Sequence, residues 1–202
     1  MQESNIMLRA FFNGRAAIWD ESVAERDITK LTQMAKRLEL EPGAVVLDIG
    51  TGTGIFLPYM LNIIGGDGRL VAIDIADQML LRARDKGFKG NISYLYADIM
   101  SLPLGDEIFD NVVCYSSFPH FQDKLRALRE AYRVVKHGGH LLICHTTSRA
   151  RINDIHRQIE IVKQDTIPDA GEMRSMLSAA GFGDIAIEDG SDSYLVRVRK
   201  PQ

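Results

Sequence analysis

Several things are missing from this chain of 202 residues, and each absence narrows its function. No apolar run is long enough to span a bilayer, which takes about 20 residues, so no membrane-spanning role is expected. Charge of one sign is not in excess: 24 Lys and Arg stand against 27 Asp and Glu, a net charge of −3. That balance leaves no electrostatic footprint for nucleic acid or an anionic membrane. The first ten residues lack a cleavable signal pattern, and a cytoplasmic location is the expectation. Cysteine is scarce. Cys114 and Cys144 both fall in expected neighbouring strands, where they read as buried, reduced thiols that lie close together. Repeats, low-complexity tracts and linkers are absent, so residues 1–202 read as one domain, with 1–40 as an N-terminal segment ahead of its regular part.

What is present is alternation. Ser22 followed three residues later by Glu25 reads as a capping box. Ile28, Leu31, Ala35 and Leu38 then repeat at helical spacing until Pro42-Gly43. Strands follow at about 44–49, 70–73, 92–97, 110–115 and 140–144. Helices lie between them, with Gly138-Gly139 closing the one before the fifth strand. A polar helix at about 149–163 comes next, then one opened by Asp169 and Glu172 as a second capping box. Two short runs, 184–187 and 194–198, finish the chain. This pattern predicts an α/β fold, a doubly wound, mostly parallel seven-stranded sheet with an antiparallel C-terminal edge hairpin.

The most informative segment joins the first strand to its helix: Asp48-Ile49-Gly50-Thr51-Gly52-Thr53-Gly54. Alternating glycines there bring backbone N–H groups close to a ligand. The dinucleotide fingerprint is not made, because the third glycine position falls on Ile55 or Leu57. That counts against a nicotinamide dehydrogenase. A ligand with an anionic part at the helix start and a cationic part at Asp48 fits better, as S-adenosylmethionine does.

Ligands of such sheets sit over the carboxyl ends of the strands. Those ends are Asp48, Asp74, Asp98, Tyr115-Ser116 and His145. One Asp at a strand end is usually a turn former; three around one glycine loop are harder to read that way. Asp74 has the pure acceptor oxygens a ribose diol needs. Asp98 can accept from an adenine amine, with the N–H of Ile99 beside a ring nitrogen.

These segments resemble the class I S-adenosylmethionine-dependent methyltransferases. Val46 to Gly54 is similar to that family's first motif and Val71 to Leu80 to its second, where the acidic residue holds ribose and Met79 packs by adenine. Ala97-Asp98-Ile99 matches the third, Phe109 to Tyr115 the strand beside the methionine end, and Arg133 to Gly139 the turn before the fifth strand. His137 departs from the Pro that many relatives carry. The resemblance implies a cofactor site of Asp48, Gly50, Thr51, Gly52, Gly54, Asp74, Ile75, Met79, Ala97, Asp98, Ile99 and Tyr115. It implies S-adenosylmethionine as cofactor and S-adenosylhomocysteine as product, and it leaves two readings of the aromatic N-terminal segment (Phe11, Phe12, Trp19): a lid folded over the cofactor, or residues packed on the core. Tyr115-Ser116-Ser117-Phe118 replaces the Asn/Asp-Pro-Pro-aromatic segment of many nitrogen methylators, so the nearest resemblance is to quinone and sterol C-methyltransferases.

Methyl transfer from a sulfonium needs orientation more than acid–base help. The candidates for a base or acceptor contact are His145 at the end of the fifth strand, His120 just after the fourth, and Tyr115. Arg149, Asn153, His156 and Glu160 share one helix face and read either as a solvated face or as a wall over the acceptor. His145 and His156 match no standard metal-ligand spacing, and no metal is expected. The sequence reading is methyl transfer to a small-molecule acceptor. An RNA or protein methyltransferase, or a non-catalytic protein that binds this cofactor or its product, are the alternatives.

Overall fold

The computed structural model describes residues 3–22 and 25–202. Three helices lead: α1 (Glu3–Arg15), α2 (Trp19–Ser22) and α3 (Ile28–Arg37). Then come β1 (Val45–Ile49), α4 (Leu57–Ile64), β2 (Arg69–Asp74), α5 (Asp77–Asp85), β3 (Ile92–Tyr96) and β4 (Phe109–Tyr115). The remainder is α6 (Lys124–Val134), β5 (Val135–His145), α7 (Arg149–Arg157), α8 (Ala170–Ala179), β6 (Gly183–Asp189) and β7 (Tyr194–Arg199). Seven strands form one sheet in the order β3-β2-β1-β4-β5-β7-β6. The first five are parallel, and β7 runs antiparallel between β5 and β6.

Period-2 side-chain alternation divides the core between the two faces of the sheet. Val46, Leu70, Val113 and Leu142 pack under α3 and α4. Leu47, Val71, Val112 and Leu141 pack under α6 and α8. All eight are no more than 8% exposed. The same alternation separates the cysteines. Cys114 is in the core of one face and Cys144 in that of the other, both buried and free, so the neighbouring strands turn the two thiols to opposite sides of the sheet.

Two local expectations change. The helix expected from Ser22 begins at Ile28, capped by Asp27, whose carboxylate accepts from Lys30 N at 3.0 Å; residues 23 and 24 of that expected helix lie outside the described residues. Ile28, read as part of its apolar stripe, is 72% exposed. Gly138 and Gly139 do not close α6 but lie within β5, at a register shift against β4. A Cβ on Gly139 would stand 2.6 Å from the Asp110 carbonyl oxygen, so the close strand approach requires glycine. The Asp169 cap holds, accepting from Glu172 N at 2.9 Å. No helix of the described residues is long and apolar enough to cross a membrane.

The chain runs outward from β1 to β3 and then returns to β4. The strand order therefore reverses between β1 and β4, and a crevice opens over their carboxyl ends, as it does in open α/β sheets generally.

Candidate functional site

One wall of that crevice is the β1–α4 loop. Its glycines do different work. A Cβ on Gly50 would stand 2.4 Å from Ser117 Cβ, and one on Gly54 2.7 Å from Leu57 Cδ1, so both are excluded by packing. Gly52, at φ +55°, is different: a Cβ there would meet nothing nearer than Trp19 Nε1 at 3.9 Å. It faces the cavity. The expectation of free loop N–H groups changes. Those of Gly50 and Thr51 donate to the Ile73 carbonyl (2.9 and 3.0 Å), that of Gly54 to Thr51 O (2.9 Å), and that of Gly52 to Asp74 Oδ2 (2.8 Å). The loop instead offers bare space at Gly52, with the Thr51 hydroxyl buried beside Asp48.

Asp74 ends β2 against this loop. Its other oxygen accepts from Ala76 N at 2.7 Å. Burial lifts its pKa to about 6, even against these N–H donors. Asp48, beneath the loop, is lifted to about 7 by burial, with the Asp74 charge adding to the rise. Gly50, Thr51, Gly52, Asp74, Ile75, Met79, Ala97, Asp98, Ile99, Tyr115 and His120 all line the cavity. Asp48 and Gly54 do not; they shape the loop from behind.

The N-terminal helices form the opposite wall. Asn5, Leu8, Phe12 and Trp19 line the cavity. Asn5 Nδ2 donates to Asp98 Oδ2 at 2.8 Å, and the other Asp98 oxygen accepts from Met100 N at 2.9 Å. Arg9 and Asn13 bind Asp77 at 2.6 and 2.9 Å. Asp20 pairs with Lys86 at 2.6 Å and accepts from the Thr53 hydroxyl. The segment is thus tied to the ends of β2 and β3 and to the glycine loop.

At the ends of β4 and β5, two of the three catalytic candidates are held in buried hydrogen bonds. Tyr115 donates through its hydroxyl to the Glu25 carbonyl at 2.9 Å, with Thr146 Oγ1 at 3.0 Å, and its ring stacks on Phe56 at 4.3 Å. Burial pushes its phenol far above the ordinary range. His145 is 1% exposed and off the cavity wall. Its Nδ1 lies 3.1 Å from Glu25 Oε2.

Glu25 is the residue the sequence concealed. Read as half of a capping box, it is 4% exposed, and its carboxylate also accepts from Thr146 N at 2.5 Å and from the Ser116 hydroxyl. A buried carboxylate needs several donors to be tolerated, and these come from positions about 90 and 120 residues away. No local pattern announces such a partnership. Ser116, beside it, has φ +57°, a conformation uncommon for a non-glycine residue.

The third candidate, His120, does line the cavity. Its Nδ1 is 2.8 Å from Asp165 Oδ2. The polar helix face divides. Arg149 pairs with Asp189 at 2.6 Å, and Glu160 pairs with Lys163 in solvent. Asn153 exchanges two hydrogen bonds with the Ile167 backbone (2.8 and 3.0 Å). Only His156 approaches the site, its ring 4.8 Å from that of His120. The reading of all four as a wall over the acceptor is not what the structure shows. No group of metal-binding side chains is found among the described residues.

Residues 47–143 match the methyltransferase domain family. The ubiquinone/menaquinone biosynthesis C-methyltransferase UbiE of Enterobacter sp. (strain 638) is 35% identical over 135 residues, covering 65% of this chain and 53% of that protein. The chain spans about half the length of the curated relatives it matches. A SAM-dependent methyltransferase of Aquifex aeolicus superposes with a TM-score of 0.72 at 25% identity, over 93% of this chain and 98% of its own. A Haloferax volcanii methyltransferase solved with the activator Trm112 shares the fold, with a TM-score of 0.75 at 22% identity over 95% and 98% of the two chains. With its domain match, sheet order and glycine-loop crevice, the chain belongs to the class I S-adenosylmethionine-dependent methyltransferases.

Proposed function

We propose that this protein transfers a methyl group from S-adenosylmethionine to a small-molecule acceptor. The observation that carries the reading is the open space at Gly52, bounded by the buried Asp74 carboxylate. The cofactor's ribose diol belongs at Asp74, whose oxygens keep lone pairs beyond those taken by the backbone. Adenine belongs between Met79 and Asp98-Ile99, with α1 closing over it as a lid. The cofactor supplies a methyl sulfonium, whose leaving group departs neutral; the protein's part is to hold the two reactants in line and keep water out. The family match and the likeness to UbiE make a ring carbon of a quinone-type acceptor the first chemistry to try. The charge balance of the chain favours a small molecule over RNA.

The test is incubation of the protein with methyl-labelled cofactor and a metabolite extract, followed by identification of labelled products. Label in a small molecule supports the reading. Label in RNA or protein alone would move the chain to a macromolecular acceptor, and tight binding with no transfer would make it a binding protein.

A further inference from the structure

The notable feature outside the glycine-loop wall is a set of side chains from three segments that meet behind His120. His120 ends a short 3-10 helix, Phe118–His120, just after β4. Asp165 follows a second such turn, Glu160–Val162, after α7. The pair is held at 2.8 Å, with side chains only 14% and 11% exposed. His156 Nδ1 reaches the Asp165 carbonyl at 2.5 Å. Phe12 meets the His120 ring edge-on at 5.0 Å, and His156 lies against it at 4.8 Å. The two hydrogen bonds between Asn153 and Ile167 pin the strand of chain that carries Asp165. Lys124, whose ammonium donates to the Pro119 and Phe121 carbonyls, braces the His120 turn from α6.

We propose that His120, oriented by Asp165, is the base that takes a proton from the methyl acceptor, and that the acceptor is a flat hydroxyl compound such as a phenol or enol. The proposal rests on the methyltransferase reading above. An ionised carboxylate only accepts hydrogen bonds, so Nδ1 must carry the hydrogen of the neutral ring. The lone pair is then on Nε2, which has no hydrogen-bond partner among the described residues. His120 lines the cavity together with Phe12 and Phe121, whose rings suit an aromatic acceptor. In the step, the acceptor O–H breaks and its proton goes to Nε2. The freed pair is shared between the oxygen and the ortho ring carbon; that carbon forms the new bond to the methyl carbon, and its own C–H proton then leaves to water as the ring regains its aromaticity. The methyl donor's sulfur keeps the pair of the bond that breaks. Asp165 stabilises the imidazolium until it returns the proton to water. Asp165 and His156 are positioning residues, since neither touches the acceptor.

The decisive experiment reads the tautomer of His120 in the free protein. Histidine labelled with 15N is observed at about pH 8 by long-range proton–nitrogen correlation, with His120→Gln used to assign the signals. Free histidine prefers hydrogen on Nε2. The expected result is the opposite: hydrogen on Nδ1 and a bare Nε2, reverting to the ordinary form in Asp165→Ala. A wild-type ring protonated at Nε2, or one unchanged by Asp165→Ala in a protein with native melting behaviour, overturns the pair. A methyl-transfer assay with a pool of phenols and a pool of amines then tests the acceptor class. Label in the phenols, reduced roughly 10²- to 10⁴-fold in kcat by His120→Gln with little change in KM, is expected for a general base. No label in the phenols overturns the hydroxyl class. Failure of the methyltransferase reading is distinguishable, because it appears as failure to bind S-adenosylhomocysteine, whichever tautomer is found.

Discussion

The two sides of the crevice are built in different ways. The side at β1, β2 and β3 comes from short continuous segments, and much of its work is done by backbone: Gly52 N on Asp74, Ala76 N on Asp74, Met100 N on Asp98. The side at β4 and β5 comes from scattered side chains: Ser116 and His120 on the wall, with Glu25, His145 and Asp165 behind them. A backbone-built site depends on local sequence, because a tight turn fixes both glycine spacing and the carboxylate next to it. A side-chain-built site depends on tertiary packing. One side is therefore suited to a ligand shared across a family, and the other to a ligand that differs among its members.

Gly52→Val should break the comparison most sharply. A branched side chain at φ +55° fills the open space beside Asp74 and strains the turn. S-adenosylhomocysteine affinity should fall more than about a hundredfold, an effect above about 2.7 kcal/mol, while circular dichroism stays native. The next effect is on stability and concerns the carboxylate behind the loop. Asp48 has a folded pKa raised to about 7, so the folded protein binds the proton more tightly than the unfolded chain. Its contribution is fully present below the unfolded value near 3.8 and is lost as pH rises through about 7. Asp48→Asn should therefore melt several degrees above wild type at pH 8, with a gap of the order of 2–4 kcal/mol. Thermal denaturation should show the gap closing toward pH 5.

Asp74→Asn keeps the shape and removes one pure acceptor and the charge. At about 1.5–3 kcal/mol for a charge-assisted hydrogen bond, calorimetry should find cofactor affinity lowered roughly ten- to a hundredfold. Arg149→Ala marks the small end. Its partner is Asp189 at the far end of β6, and both are about 30% exposed. The pair should be worth less than about 1 kcal/mol, and S-adenosylhomocysteine affinity should change less than about twofold. A larger change would join α7 to the cofactor wall and blur the contrast.

The contrast also explains what was legible in the sequence. The strands, their order of appearance and the ends at Asp74 and Asp98 follow from apolar runs of fixed period. Gly138-Gly139 was misread because a glycine pair before a strand looks like a helix stop, whereas the close approach of Asp110 O is a contact across the sheet. Glu25 was misread because three-residue spacing from Ser22 imitates a cap, and Asp27 is the residue that caps. Arg149, Asn153 and His156 lie on α7, but the helix expected to run to about 163 ends at Arg157 and Glu160 falls in the separate turn Glu160–Val162; periodicity shows neither that break nor which neighbours the face meets. The His120–Asp165 pair joins positions 45 apart through two short turns, and such turns carry no periodic signal.

Calorimetric titration of the purified protein with S-adenosylhomocysteine, alongside a nicotinamide dinucleotide, bears most directly on the crevice as the cofactor site. The expected result is one S-adenosylhomocysteine bound per chain, lost in Gly52→Val, and no heat from the dinucleotide. Binding of the dinucleotide in preference, or S-adenosylhomocysteine bound equally well by Gly52→Val, would contradict it.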